Sequence, residues 1–475
     1  MGDALRKRFE TLAAHVVTVQ PDEAPTLLYA SAAFFFLLSA YFMVIPFRDE
    51  AAISLGTDML PLLFVASLLL TLVAAPICSH LLSLPTLSKS KALLILFRFF
   101  GVSLVLFFLL YVGESSAPSL MTSFVAMESF KVKEGSWTSK SLRCGFYIWI
   151  ALLNLFTTSA LWARLTDIMS SEAGSRLFGF VGAGATLGQL VGSVLAVILA
   201  PFGPFLLLLS ALFMEFGARC AIRVGRDLPL DSEIGCSDST NSQDLYLHKM
   251  ETVQTSQTLW ETVCSKVFSM AEGLRLTVAS SYLLHVCCFL WLTAVVSSFF
   301  YFERANVVAQ VSHDPLGRRV TLAKINSFTA VFILFGQLTV TGRLLAYCGV
   351  TIALCASPAV AFFNMAAISI SPTPLVIAIS EAARKVTTYV LTKPGREVLF
   401  TVTSRDEKYK AKVFIDTFVQ RLGDTAAAGM YELIGFLRPM EPSTIPVWAL
   451  PVCCAWFFAA LRLGCQHQRL AQCEI

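Results

Sequence analysis

Charge is scarce in this chain. Of its 475 residues, 14% are Asp, Glu, Lys or Arg while 56% are apolar, and 38 are Phe; soluble proteins carry about 25% charged residues. So little polar surface excludes a water-soluble globule of this length. Histidine is scarce too, at six, and neither G-x-S-x-G nor H-E-x-x-H occurs. The usual marks of a nucleophile-elbow hydrolase and of a zinc protease are therefore missing. The 13 cysteines make no C-x-x-C and no zinc spacing, so no metal and no cofactor is expected. The pairs Cys287–Cys288 and Cys453–Cys454 fall in apolar runs and read as small buried hydrophobes. No N-x-S/T acceptor is found. The opening MGDALRKRFETLAAHVVTVQPDEAP lacks a signal-peptide pattern, because a polar stretch separates its basic cluster from the first apolar run. Its acids (Asp3, Glu10, Asp22, Glu23) argue against a transit peptide. The myristoylation pattern fails at Arg6, and Cys473 lies one place too late for prenylation. A net charge of +4 gives no reason to expect a nucleic-acid partner.

What the chain has instead is apolar runs of about 20 residues, the length that crosses a bilayer as helix. About twelve such spans are expected: 27–47, 60–83, 91–112, 143–163, 177–200, 203–222, 281–302, 324–345, 347–370, 373–391, 412–436 and 446–464. Short alternating strands, the mark of a membrane barrel, are not seen. The expectation is an all-α, multi-pass membrane protein. Most Lys and Arg fall in the N-terminal segment, the even-numbered loops and the tail, which places both termini on the cytoplasmic side.

A cytoplasmic segment, 1–26, is followed by six spans (27–222). A polar stretch, 223–280, separates them from six more (281–464), with 465–475 as a tail. Within the polar stretch, SEIGCSDSTNSQD reads as a flexible linker. Further on, Leu259, Val263, Val267 and Leu274 share one helical face, either along the membrane surface or packed beneath the bundle.

The two halves echo one another. The first span ends VIPFRDEAAIS and the seventh FFYFERANVVA, which sets Arg48-Asp49-Glu50 beside Glu303-Arg304. SEAGSRLFGFVGAGATLG from Ser171 aligns without gaps on DEKYKAKVFIDTFVQRLG from Asp406, matching Glu172 with Glu407, Leu187 with Leu422 and Gly188 with Gly423. Parallel repeats of six spans imply a major-facilitator-like arrangement, with a central cavity that opens to each side in turn.

Three stretches carry a further likeness: DEAPTLLYASAAFFFLLSAYFMVIPFRDEAAISLG, LFTTSALWARLTDIMSSEAGSRLFGFVGAGATLGQLVGS and REVLFTVTSRDEKYKAKVFIDTFVQRLGD. They resemble the ATP/ADP translocase family of plastids and intracellular bacteria, and within it the relatives of unassigned substrate. The resemblance covers most of the chain outside 223–255. It implies nucleotide transport with ATP binding, and the plastid envelope as one host membrane. The family's exchangers share an Arg-Asp-Thr-Lys-Asp motif after the first span. Here Arg48 and Asp49 match, Glu50 follows, and Ala51 takes the place of the lysine.

Ionisable residues inside a membrane are costly and tend to be functional or paired. Arg48, Asp49 and Glu50 at the mouth of the first span suit a gate, a solute contact or an interfacial lock. In the tenth span Glu381 and Lys385 are four apart and should pair. Arg384 is left to receive an anion through its guanidinium fork, or to snorkel at the membrane face. In the eleventh, Asp416, Gln420 and Asp424 recur every fourth residue beside Arg421, a stripe suited to a cavity wall. Asp416 could alternatively carry a proton. Arg98 stands alone in its span. Glu215 should satisfy Arg219, Arg164 stands near Asp167, and His285 reads as structural. Gly184, Gly188 and Gly192, spaced by four, suit close helix packing. The reading is a secondary carrier for an anionic solute such as a nucleotide, against a carrier of another organic anion or a membrane scaffold; an enzyme is not expected.

Overall fold

The computed structural model describes residues 23–83, 88–114, 137–169, 171–224, 274–339, 341–399, 415–437 and 444–473. The expected linker and most of the amphipathic segment after it lie outside these residues. Among the described residues twelve long helical elements follow one another: α1 (Ala24–Ser54), α2 (Leu60–Ser83), α3 (Lys89–Glu114), α4 (Trp137–Ile168), α5 (Ser171–Ile198), α6 (Phe205–Arg223), α7 (Ser281–Val311), α8 (Pro315–Thr339), α9 (Thr341–Ile370), α10, α11 and α12 (Thr444–Cys473). The tenth is composite: Pro374–Thr387, a π-helical turn Thr388–Thr392, then Lys393–Leu399. The eleventh opens with a second π-turn, Ile415–Val419, and continues as Gln420–Leu437. Among the described residues ten helices are long and apolar enough to cross a membrane, and the chain is an integral multi-pass membrane protein. The segments α10 and α11 are not among those ten, because their charges break the apolar run.

Local chemistry sets several boundaries. The Ser280 hydroxyl accepts the Leu283 N–H at the start of α7, and Thr373 accepts the Val376 N–H ahead of Pro374 in α10. These are helix N-caps, with proline at the first position of α10, where its missing N–H costs nothing. The eighth helix begins nine residues before the expected 324. Pro315 opens it and the Asp314 carboxylate accepts the Gly317 N–H at 3.1 Å. Its first turns carry Arg318, Arg319 and Lys324, which hide a helix from a search for apolar runs. The chain therefore turns from α7 into α8 over residues 312–314 alone. In α9 the helix is kinked at Gly349, where φ is +71°, a left-handed conformation natural to glycine.

Packing inside lipid has no hydrophobic drive between helices and relies on close fit. The contact of α1 with α5 shows this. Gly184, Gly188 and Gly192 lie over Ser31, Phe35 and Ser39, and a Cβ at Gly188 or Gly192 would fall 2.9 Å from the Phe35 or Ser39 Cα. The backbones are near enough for Ser39 to donate its hydroxyl to the Gly188 carbonyl at 3.1 Å. Around this pair α1, α3, α4, α5 and α6 enclose Phe34, Phe97, Phe146, Leu207 and their neighbours. A second cluster is built mainly by α7 to α12 around Phe289, Phe299, Phe302 and Trp456, and takes in Ala52, Ile53, Leu60 and Leu63 of α1 and α2.

The two groups of helices meet where α2 packs on α11 and α5 and α1 pack on α8. Much of this contact lies at the end of the bundle where α1 finishes, here called the distal end. Phe64 stacks on Tyr301 and Phe302 (ring centroids 5.4 and 4.9 Å), and Phe302 on Tyr431 (4.8 Å). Deeper, Thr186 of α5 donates to the Gln337 side chain of α8 at 2.6 Å.

Candidate functional site

Helix α1 contains Pro46, which has no N–H to give and leaves a break in the ladder of hydrogen bonds. Directly after it, Arg48, Asp49 and Glu50 reach different partners. The Asp49 carboxylate receives Arg48 at 2.6 Å, Arg304 of α7 at 2.8 Å and the Tyr301 hydroxyl at 3.2 Å. Glu50 receives Arg319 of α8 at 3.1 Å, and Ser54 from its own helix. Asp49 and Glu50 are buried, so removing a partner would strand a charge away from water. Rings complete the setting. Arg48 lies over Tyr147 (4.9 Å), Arg304 over Tyr301 (5.3 Å) and Arg319 over Phe47 (4.6 Å). Cations over aromatic faces gain from the ring quadrupole, more so when desolvated.

A second centre lies on α10. Glu381 is bonded to Arg384 at 2.8 Å and to Lys385 at 3.1 Å. The pairing with Lys385 follows from the four-residue spacing. Arg384 is not left free as its spacing suggested: being three residues from Glu381, it shares the same turn. Its other nitrogen donates to Ser297 of α7 at 3.3 Å, with the guanidinium 5.1 Å from the Phe300 ring. One turn further on, Lys393 lies 3.9 Å above the Tyr389 ring.

The third centre is on α11, where Asp424 accepts the Ser298 hydroxyl at 2.8 Å and Arg421 stands 3.6 Å away. Gln420 is exposed, and the Asp416 side chain lies outside the described residues.

These centres form one system, held together by the face of α7 that carries Ser297, Ser298, Tyr301 and Arg304. Arg304 lies within electrostatic range of Glu381 as well as Asp49. Across from that face, Arg48 meets the Tyr41 hydroxyl, and Arg421 is within range of the same tyrosine. Tyr147 touches the Tyr301 hydroxyl, with Asp424 nearby. The result, among the described residues, is a polar wall from both groups of helices, with five cations (Arg48, Arg304, Arg384, Lys385, Arg421) against three carboxylates (Asp49, Glu381, Asp424). Arg384, Lys385 and Arg421 remain 15–23% exposed, whereas Arg48 and Arg304 are 11% and 9% exposed.

Arg98 is elsewhere. It is 54% exposed and bonded across to Glu215 of α6 at 2.9 Å, with Arg219 on the same carboxylate. Lacking a partner in its own span, it has one 117 residues on. Asp167 pairs with Lys89 at 2.8 Å, and His285 makes a hydrogen bond with the Ser281 carbonyl of its own helix. The parts that sequence reasoning passed over are Arg304, Arg319, Tyr41, Tyr147, Tyr301, Ser297 and Ser298. Arg304 had a signal, its alignment with the Arg48 motif; tyrosines and serines in apolar spans give none.

No family model matches the chain, and no curated protein does. Solved structures do resemble it over nearly their whole length. A POT family transporter in complex with 5-aminolevulinic acid superposes with a TM-score of 0.56 at 10% identity, covering 93% of this chain and 96% of that one. The human organic anion transporter MFSD10 gives 0.56 at 14%, covering 93% and 100%. The nucleoside transporter NupG gives 0.51 at 10%, covering 94% and 99%. Likeness at such low identity speaks for architecture and leaves activity open. The chain has the all-helical, multi-pass fold of the major-facilitator type of transporter.

Proposed function

We propose that the protein is a secondary carrier for an anionic organic solute, working by alternating access. The observation that carries this is the excess of arginine and lysine, among the described residues, on a largely buried wall shared by both helix groups. A membrane interior keeps such charges only where they are paired or serve a ligand, and among the described residues the cations outnumber their carboxylates. Rings of Tyr41, Tyr147, Tyr301 and Phe300 lie among the cations, a setting that suits an anion bearing a flat ring. Together with the likeness to ATP/ADP translocases, this favours a nucleotide. Ala51 leaves the family's lysine position without charge, so Arg384 and Lys385 would take up the phosphates. On this reading the distal ion pairs and aromatic stack form the outer gate, the termini are cytoplasmic, and the chamber is entered from the cytoplasmic side in this conformation.

The test is uptake by liposomes holding the purified chain, preloaded with ATP, ADP or another organic anion and offered each in labelled form. Exchange of labelled ATP or ADP that Arg384→Ala lowers at least about tenfold is expected, since a charge-assisted contact is lost. Flux of other organic anions alone would leave the carrier and remove the nucleotide. No flux of any anion would leave a membrane scaffold on this fold.

A further inference from the structure

One buried ionisable group has no place in the site above. Glu303, on α7 between Phe302 and Arg304, is fully enclosed, and neither carboxylate oxygen has a hydrogen-bond partner. Its neighbour Arg304 is committed to Asp49, and among the described residues no basic side chain pairs with Glu303. From α11, Tyr431 faces it. The Tyr431 hydroxyl stands 3.5 Å from the Asn306 amide, and Asp58 and Thr57 of the α1–α2 turn lie on its other side. At this end α2 and α12 carry no ionisable residue. Among the described residues the groups near Glu303 are thus a phenol, an amide and, further off, another acid. All of them disfavour a second negative charge or leave it uncompensated.

A carboxylate enclosed without a partner costs several kcal/mol or more, whereas the neutral acid avoids the charge. We infer that Glu303 is a proton-binding site coupled to the distal gate: it holds a proton while the gate is closed and releases it to distal water when the gate opens. The geometry supplies the coupling. Phe302, which precedes it, is held by Phe64 of the other helix group, and Thr57 and Asp58 of the α1–α2 turn lie by Tyr431, so parting the two groups opens the surroundings of Glu303 on the α2 side while Tyr431 moves with it. Opening then converts a carboxylic acid and bulk water into a carboxylate and a hydrated proton, and closing reverses this. By linkage, acid on the distal side favours closure and alkali favours opening. Its role as the coupling ion's site rests on the carrier reading; its protonation does not.

The experiment uses the full chain in lipid nanodiscs. The wild type should show an infrared C=O band of a protonated carboxyl that shifts in D2O and is missing from Glu303→Gln. Amide hydrogen exchange of residues 46–64, corrected for its intrinsic pH dependence, should rise about tenfold from mildly acidic to alkaline pH in the wild type. Glu303→Gln, which mimics the neutral acid, should stay protected throughout, and Glu303→Asp should keep the response. An unchanged carboxyl band in Glu303→Gln, or a pH response equal to wild type, overturns the proposal. If the band and the response hold while no solute moves, the carrier reading falls and the proton site stands.

Discussion

The pair Glu50–Arg319 joins two helix groups across the distal end, and its side chains are only 5% and 12% exposed. Replacing Arg319 by Met keeps an unbranched stem over Phe47 but strips the charge, leaving the Glu50 carboxylate buried beside Ser54 alone. Breaking one side of a buried pair costs about 3–5 kcal/mol, while replacing both partners is far milder. If the pair exists only when the distal end is closed, Arg319→Met weakens closure by about 3 kcal/mol, or about a hundredfold in the equilibrium. The double variant Glu50→Gln with Arg319→Met should recover most of that loss, because no charge is stranded. Met59 and Val311 lie at the distal end in the two groups and are 48% and 58% exposed, so both accept spin labels once the native cysteines are replaced. Pulsed electron resonance should give one short distance in the parent chain, a large added long-distance population in Arg319→Met, and a smaller one in the double variant. Additive effects, with the double variant more open than either single, would falsify the account of the gate.

Other outcomes follow from the same contacts. Gly188→Val should lower thermal stability in detergent by at least about 1–3 kcal/mol through overpacking against Phe35, whereas Gly182→Ala, with nothing within 4 Å of its Cβ, should be neutral. Ser298→Ala takes from Asp424 its 2.8 Å donor and should cost about 1–3 kcal/mol in the same assay. Arg98→Ala acts on the outside of the bundle and should leave solute uptake within about twofold of wild type, since exposed ion pairs contribute little.

Much of the architecture could be read from the chain because a bilayer demands long apolar runs, and these are visible residue by residue. The same signal failed at α8, where Arg318, Arg319 and Lys324 occupy the first turns; Arg319 is taken up by Glu50 and Phe47, Arg318 by the Ser312 carbonyl, and Lys324 stays exposed. Pairing within a helix could be read from spacing, as with Glu381 and Lys385. Pairing between helices could not. Asp49 and Arg304 are 255 positions apart, and the echo of Arg48-Asp49-Glu50 in Glu303-Arg304 gave no hint that the two stretches touch. An arginine three residues from its acid was misjudged by attention to the four-residue rule alone. The enclosure of Glu303 was hidden for a different reason: it depends on what other helices bring, Tyr431 of α11 among them.

The three-residue connector 312–314 has a mechanical consequence. It ties the distal ends of α7 and α8 together, with Arg304 on one helix and Arg319 on the other, and both grip adjacent residues of a single helix. Neither grip loosens without straining its twin, so the molecule should snap between fastened and unfastened, lingering little at half-release.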